Sequence, residues 1–336
     1  MKPSDLKEAL RIAIKNRLPL LIVGSPGIGK TDIVTQAANE ENADLEVFHP
    51  VVSDPTDPKG LPWMFKDKTG NPRAEFIPYG SLRRLMEATT LTIAFFDDLG
   101  QAAPAVQASY MQLFLARRIN GHKVSDLVTF LAATNRRSDK AGVTGILEPV
   151  KSRFASILNL EPDLNDWTAW ALNNRIPTEL IAFLRFRPEL LHNFKPSTDM
   201  VNSPSPRTWH NVAKLILARP PVNLEFELFS GAVGETAATE FLAFLKIFRT
   251  LPNPDMVLMA PETADLPSDI CTLYALCGAL AQRAGENNFS NLVTYAKRLS
   301  PEFSVMLYKD CITRNKALLN TKASIDWQCK HADILI

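Results

Sequence analysis

The stretch from Leu20 to Thr31, LLIVGSPGIGKT, constrains this chain more than any other. Leu20, Leu21, Ile22 and Val23 make an apolar run of the length and character of a parallel strand buried on both faces. It ends in Gly24, Ser25, Pro26, Gly27, Ile28, Gly29, Lys30 and Thr31, which fit the pattern G-x-x-x-x-G-K-[ST] at every fixed position. Asp32-Ile33-Val34-Thr35-Gln36-Ala37-Ala38 then reads as the opening of a helix. Strand, glycine-rich loop and helix in that order make a phosphate cradle. The glycines let the loop wrap closely, so its N–H groups and the positive end of the helix dipole face phosphate oxygens. Lys30 adds a point charge near the β- and γ-phosphates, and Thr31 a hydroxyl ligand for Mg²⁺. The expected ligand is a nucleoside triphosphate.

A second strand, Leu91-Thr92-Ile93-Ala94-Phe95-Phe96-Asp97-Asp98, ends in two carboxylates. Downstream of a phosphate loop this is the form of a Walker B strand: Asp97 holds Mg²⁺ through its water shell, and Asp98 orients or deprotonates the attacking water. A third strand, Leu127 to Ala133, ends at Thr134-Asn135, where the amide can hydrogen-bond a water or the γ-phosphate. A last apolar strand, Ala155 to Leu160, follows Lys151-Ser152-Arg153-Phe154.

Between these strands the reading is coarser. Ser4 is the expected cap of a first helix, and Leu45 to His49 a short strand with His49 packed at its end. From Ser53 to Tyr79 turn formers dominate, and a hairpin is expected around Lys68-Thr69-Gly70-Asn71 as a surface insertion. Asp54 and Asp57, each before a proline, read as turn formers, and Phe65 beside the charged turn as a partner contact. Pro104 suits the first turn of a helix that places Val106, Tyr110, Leu113 and Phe114 on one face, and Asn120-Gly121 is a type I′ hairpin signal.

The remaining classes are bounded by composition. A chain of 336 residues, 46% hydrophobic and 22% charged, has the make-up of a globular protein with room for two cores. No apolar run reaches the length of a membrane span and MKPSDLKEAL lacks a signal-peptide core, so the expectation is a cytoplasmic protein with no membrane partner. A net charge of +1 argues against nucleic acid as partner. Cys271, Cys277, Cys311 and Cys329 have neither zinc-site nor disulfide-framework spacing and are expected as buried free thiols.

The order GSPGIGKT, FFDD, AATN, KSRF and SPRTW resembles AAA+ ATPases, most closely the MoxR-like branch, over the first half of the chain and near Arg207 in the second. The resemblance implies an αβα P-loop NTPase domain to about Leu160, with a parallel five-stranded sheet in the order 5-1-4-3-2, and an all-α lid over residues 161–336. It also implies roles for single residues. Asn135 matches the sensor-1 polar residue. Arg153 matches the arginine finger that reaches a neighbouring subunit's γ-phosphate, and Arg207 the sensor-2 arginine of the lid. Each arginine offers a fixed fork of donors that spreads phosphate charge. ATP and Mg²⁺ are then the expected cofactors, and a ring of copies of this chain, hexameric in the family, the expected assembly. A partner carrying a von Willebrand factor A domain and a remodelled protein client are implied in the same way. One position departs from the pattern. The family has glutamate where this chain has Asp98, one methylene shorter. That keeps open an ATP-dependent assembly switch with little hydrolysis. A DNA-acting motor, prompted by Arg83-Arg84, Arg117-Arg118 and Arg136-Arg137, is the other alternative.

Overall fold

Helix α1 (Pro3–Asn16) feeds strand β1 (Leu20–Val23), and α2 (Lys30–Glu40) leaves the glycine loop that follows it. The computed structural model describes residues 1–139, 142–197 and 199–330. Helix α1 starts earlier than the expected cap at Ser4: Lys2 holds the cap position and Pro3 the first turn, where its fixed φ is already helical. The chain continues through β2 (Asp44–Phe48), β3 (Leu61–Lys66), β4 (Pro72–Ile77), α3 (Gly80–Met86) and β5 (Thr92–Phe96). Then come α4 (Pro104–Ser109), α5 (Met111–Ala116), β6 (Arg118–Ile119), β7 (His122–Lys123), β8 (Val128–Thr134), α6 (Glu148–Lys151) and β9 (Ser156–Asn159).

Five of these strands form one parallel sheet in the order β2-β5-β8-β1-β9. Numbered among themselves and read from the β9 edge, they run 5-1-4-3-2, as expected. Both faces are covered, which is why the strands read as continuous apolar runs rather than alternating ones. Ile93 and Phe95 pack with Ile22, Leu131 and the inner faces of α1 and α2. Ala94 and Phe96 turn the other way, against Phe130, Val106, Tyr110 and Phe114. The helix after Pro104 is interrupted at Tyr110, yet Val106, Tyr110, Leu113 and Phe114 all face the sheet and are buried. Asn120 and Gly121 both have positive φ (47° and 85°), the backbone of a type I′ turn.

β3 and β4 pair only with each other, from Leu61 opposite Ile77 to Lys66 opposite Pro72. Trp63 (62% exposed), Met64 (75%) and Phe65 (38%) lie in solvent together with Phe76 and Ile77, so both faces of this hairpin are uncovered. Its base is tied to the second hairpin: His122 Nε2 donates to the Phe76 carbonyl (2.8 Å) and Asn120 Nδ2 to that of Lys59 (3.0 Å). Asp54 and Asp57 are turn formers, accepting from the Thr56 and Asp54 N–H groups at 2.8 Å each. His49 differs from expectation. It is exposed, because β2 is an edge strand and the chain turns there into a 3-10 turn, Pro50–Val52.

At the hairpin tip Asp67 accepts from Thr69 N, Thr69 Oγ1, Asn71 N and Arg73 Nε. These bonds, led by the Thr69 hydroxyl and Arg73, push its carboxyl down to about 2 from an ordinary 3.8. A depressed folded value means the turn's support is full above pH 3.8 and is lost as pH falls through about 2. Amide shifts of Thr69 and Asn71 are expected to stay native-like at pH 3 and to move together near pH 2; movement centred near 3.8 would show that the turn does not hold the carboxylate.

The chain divides into two compact units, the first spanning Met1–Pro162 with Phe194–Pro196. The second, taken by itself, is helical. It comprises α7 (Leu164–Asn173), α8 (Thr178–Phe186), α9 (Pro206–Leu217), α10 (Val222–Val233) and α11 (Glu235–Arg249). It continues with α12 (Pro254–Met259), α13 (Ile270–Arg283), α14 (Phe289–Ala296), α15 (Pro301–Arg314) and α16 (Lys322–Lys330). One core gathers Trp167, Phe183, Trp209, Phe241 and Phe244; the other gathers Leu280, Phe289, Tyr308 and Trp327. Gly234, at φ 84°, makes the break between α10 and α11. A bidentate pair of Arg185 with Asp310 joins α8 to α15. Three cysteines are buried, and burial pushes the Cys277 thiol up to about 12, which keeps it protonated. Cys329, on the terminal helix α16, is exposed, contrary to expectation. No helix among the described residues is long and apolar enough to cross a membrane.

Candidate functional site

The C-terminal ends of β1, β8 and β5 are neighbours in the sheet, and each delivers one part of the site. From β1 comes the loop Gly24 to Gly29. Its path depends on two glycines in the left-handed region, Gly27 (φ 74°) and Gly29 (φ 92°). A third is there for close approach. A Cβ on Gly24 would lie 2.6 Å from Ile28 Cδ1 and 3.0 Å from the Leu160 carbonyl. Gly24, Ser25, Ile28 and Lys30 are buried, while Pro26, Gly27, Gly29 and Thr31 are half-buried.

Lys30 sits in the first turn of α2 and folds back under the loop. Its Nζ donates to the carbonyls of Gly24 (2.9 Å) and Ser25 (3.0 Å) and to Asn135 Oδ1 (2.7 Å). Asn135 is there because β8 pairs with β1 and the Gly24 N–H donates to the Thr134 carbonyl (3.2 Å). Beyond β8, the end of β5 carries Asp97 and Asp98. Thr31 Oγ1 donates to Asp97 Oδ2 (2.7 Å), and the Asp98 N–H to Asp97 Oδ1 (3.1 Å). Lys30, Thr31, Asp97, Asp98 and Asn135, up to 105 residues apart, thus meet at one edge of one sheet.

Thr31 and Asp97 present two hard oxygen donors to one point. Among the described residues no three His, Cys, Asp or Glu side chains cluster as a metal cage. Hydroxyl and carboxylate oxygens are the donor type Mg²⁺ takes, one or two from a protein with water and phosphate completing the octahedron.

The two arginines are elsewhere. Arg153 follows α6 and precedes β9, whose register sets Ser156 opposite Leu20, with the Ala155 N–H donating to the Pro19 carbonyl (2.8 Å). It therefore lies at the N-terminal edge of the sheet, the far end of β1 from the loop. Its Nη1 donates to Ser152 Oγ (2.9 Å), and its buried Nε meets no acceptor among the described residues. Arg207 belongs to the second unit and is exposed in the first turn of α9, after a capping box between Ser205 and Thr208.

Most of the paired arginines serve the fold. Arg83 pairs with Glu87 (2.8 Å) and Arg84 with Glu46 (2.6 Å). Arg117 donates to the carbonyls of Ser125 and Val128 and lies over the Phe130 ring. Arg136 bonds Glu161 and the Leu160 carbonyl.

Two residues here escaped the sequence reading. Gly100 lies so near β8 that a Cβ would come within 2.1 Å of Thr134 Oγ1. Gln101 Nε2 donates to Asp98 Oδ1 (2.6 Å). The one available signal was the position of both directly after the acid pair.

No protein of curated function matches the sequence. Among solved structures the chain is similar to a variant of RuvB from Thermotoga maritima, at 15% identity over 82% of this chain and 79% of that one, TM-score 0.41. It is also similar to NtrX from Brucella abortus in complex with ADP, at 12% identity over 99% and 68%, TM-score 0.43. Residues 20–162, which include all five strands of the parallel sheet, match the family described as "ATPase family associated with various cellular activities (AAA)". Over residues 20–162, then, the chain matches the AAA ATPase family model and has a P-loop NTPase-like fold, a parallel five-stranded sheet covered by helices.

Proposed function

We propose that this chain is an ATP-hydrolysing AAA+ protein of the MoxR-like branch, completed by a neighbouring copy in a ring. The observation that carries the reading is the convergence of Lys30, Thr31, Asp97, Asp98 and Asn135, with Arg153 at the opposite edge of the same sheet. In this reading the loop N–H groups and Lys30 bind the phosphates, and Asn135 is drawn from Lys30 toward the γ-phosphate or the water. Thr31 and Asp97 would hold Mg²⁺, whose charge would supply neutralisation of the phosphates. The water oxygen attacks the γ-phosphorus, its proton passes to Asp98, and the bond to the β-phosphate oxygen breaks. Arg153 supplies a guanidinium to a neighbour's γ-phosphate, and Arg207 couples the nucleotide to the helical unit.

The exposed apolar hairpin of β3 and β4, braced by β6 and β7, is the surface offered to a protein client. A partner with a von Willebrand factor A domain, a hexameric ring and a cytoplasmic location belong to this proposal through the resemblance in sequence. The test is the ATPase rate per subunit over a range of protein concentrations, with Lys30→Ala as the blank. A rate per subunit that climbs and then saturates is the expected result. A real rate independent of concentration would overturn the shared site, and binding of ATP without turnover would favour an assembly switch.

A further inference from the structure

The turn after the two acids holds a side chain that no motif assigns. Gln101 ends the 3-10 turn Leu99–Gln101, its N–H donating to the Asp98 carbonyl (3.0 Å) and its Nε2 to Asp98 Oδ1 (2.6 Å). A carboxylate only accepts, so the amide nitrogen faces Asp98 and Oε1 faces away. Oε1 is buried and meets no donor among the described residues. An acceptor buried without a donor is unfavourable, so this conformation does not satisfy the amide. What it secures is the bond to Asp98.

The backbone is committed to the same end. Asp98 stands in the left-handed region (φ 56°), and Gly100 is pressed against Thr134, the residue before the Asn135 that holds Lys30. Asp98 is therefore held at its backbone by the turn and at Oδ1 by Gln101, and Oδ2 is the oxygen with no protein partner among the described residues.

We propose that Gln101 is a positioning residue for hydrolysis: by holding Oδ1 of Asp98 it fixes Oδ2 as the oxygen presented to the attacking water. A short carboxylate free to rotate presents either oxygen at a range of angles; one tied at 2.6 Å presents one. The amide so restores the aim that the missing methylene of Asp98 gives up. This inference rests on the hydrolysis reading above.

The test is a double-mutant cycle in full-length protein under single-turnover conditions, where slow residual rates are still read. Gln101→Leu is expected to lower the chemical rate about 10-fold or more with the ATP dissociation constant unchanged, since a misplaced group costs the transition state and not ground-state binding. In an Asp98→Ala background the same change is expected to cost less than about twofold, because its route of action is gone. Gln101→Glu, which keeps the shape and loses the donor, carries the same comparison if leucine unfolds the turn. Equal losses in both backgrounds, weakened ATP binding, or an unchanged rate overturn the inference while leaving hydrolysis standing. No wild-type rate above Lys30→Ala overturns hydrolysis and this inference together.

Discussion

Lys30→Ala is expected to raise the dissociation constant for ATP by about 10- to 150-fold, the equivalent of the roughly 1.5–3 kcal/mol carried by a hydrogen bond to a charged group. Hydrolysis is expected to fall to background. The ammonium is buried and collects three oxygens, one of them on Asn135. It is thus held in place before any phosphate arrives, and little of the binding energy goes to ordering it. Lys30→Met keeps most of the stem without the charge and separates packing from electrostatics. Thermal unfolding with ATP supplies an independent reading. At a concentration of 100 times the wild-type dissociation constant, ATP stabilises the wild type by about 2.7 kcal/mol, and a variant weakened about 100-fold by about 0.4 kcal/mol. Equal stabilisation of both proteins would place the nucleotide somewhere other than this loop.

What the sequence discloses of this site follows from how local each signal is. The loop is contiguous, and its glycines and lysine are demanded by backbone geometry, so Gly24 to Thr31 are legible from spacing alone. The buried parallel strands are legible because both of their faces are apolar. Long-range register is another matter. That Asn135 would bond Lys30 and that Arg153 would lie at the other end of β1 depend on β1 pairing with both β8 and β9. No residue pattern specifies that pairing; the family resemblance supplies it. Gln101 was invisible because a lone amide after two acids has no periodicity to stand out from. In the hairpin, Trp63, Met64 and Phe65 carry the composition of a buried strand. Their place on a surface insertion is legible only from the turn formers around them, and among the described residues β3 and β4 pair with no other strand. The helical half shows the same division. Its helices are legible from their 3.6-residue period, but Arg185 and Asp310, 125 residues apart, find each other only through the packing of α8 on α15.

The position of Arg153 leads to the second large effect. Four residues of β1, about 13 Å of strand at 3.3 Å per residue, separate its end of the sheet from the phosphate loop. It pairs with no carboxylate among the described residues, and its Nε is buried without an acceptor. A guanidinium left so incompletely satisfied at an edge remote from its own nucleotide is suited to an anion brought by another molecule. Arg153→Ala is therefore expected to lower hydrolysis about 10³-fold, the lower end of the range for an arginine supplied in trans, with ATP affinity within about twofold of wild type. Arg153→Lys keeps the charge and loses the fork, and is expected to recover only part of the rate. The decisive form of the measurement mixes two inactive proteins. A Lys30→Ala subunit retains Arg153, and an Arg153→Ala subunit retains the loop; where the first lies beside the second in the right order, one complete site forms. In an equimolar random ring about a quarter of interfaces meet that condition. Activity regained on mixing, at a concentration where each variant alone is silent, requires that the site be built from two copies. If mixing regains nothing while each variant still binds its partner copies, Arg153 acts within its own subunit or not at all, and the shared-site mechanism is lost with it.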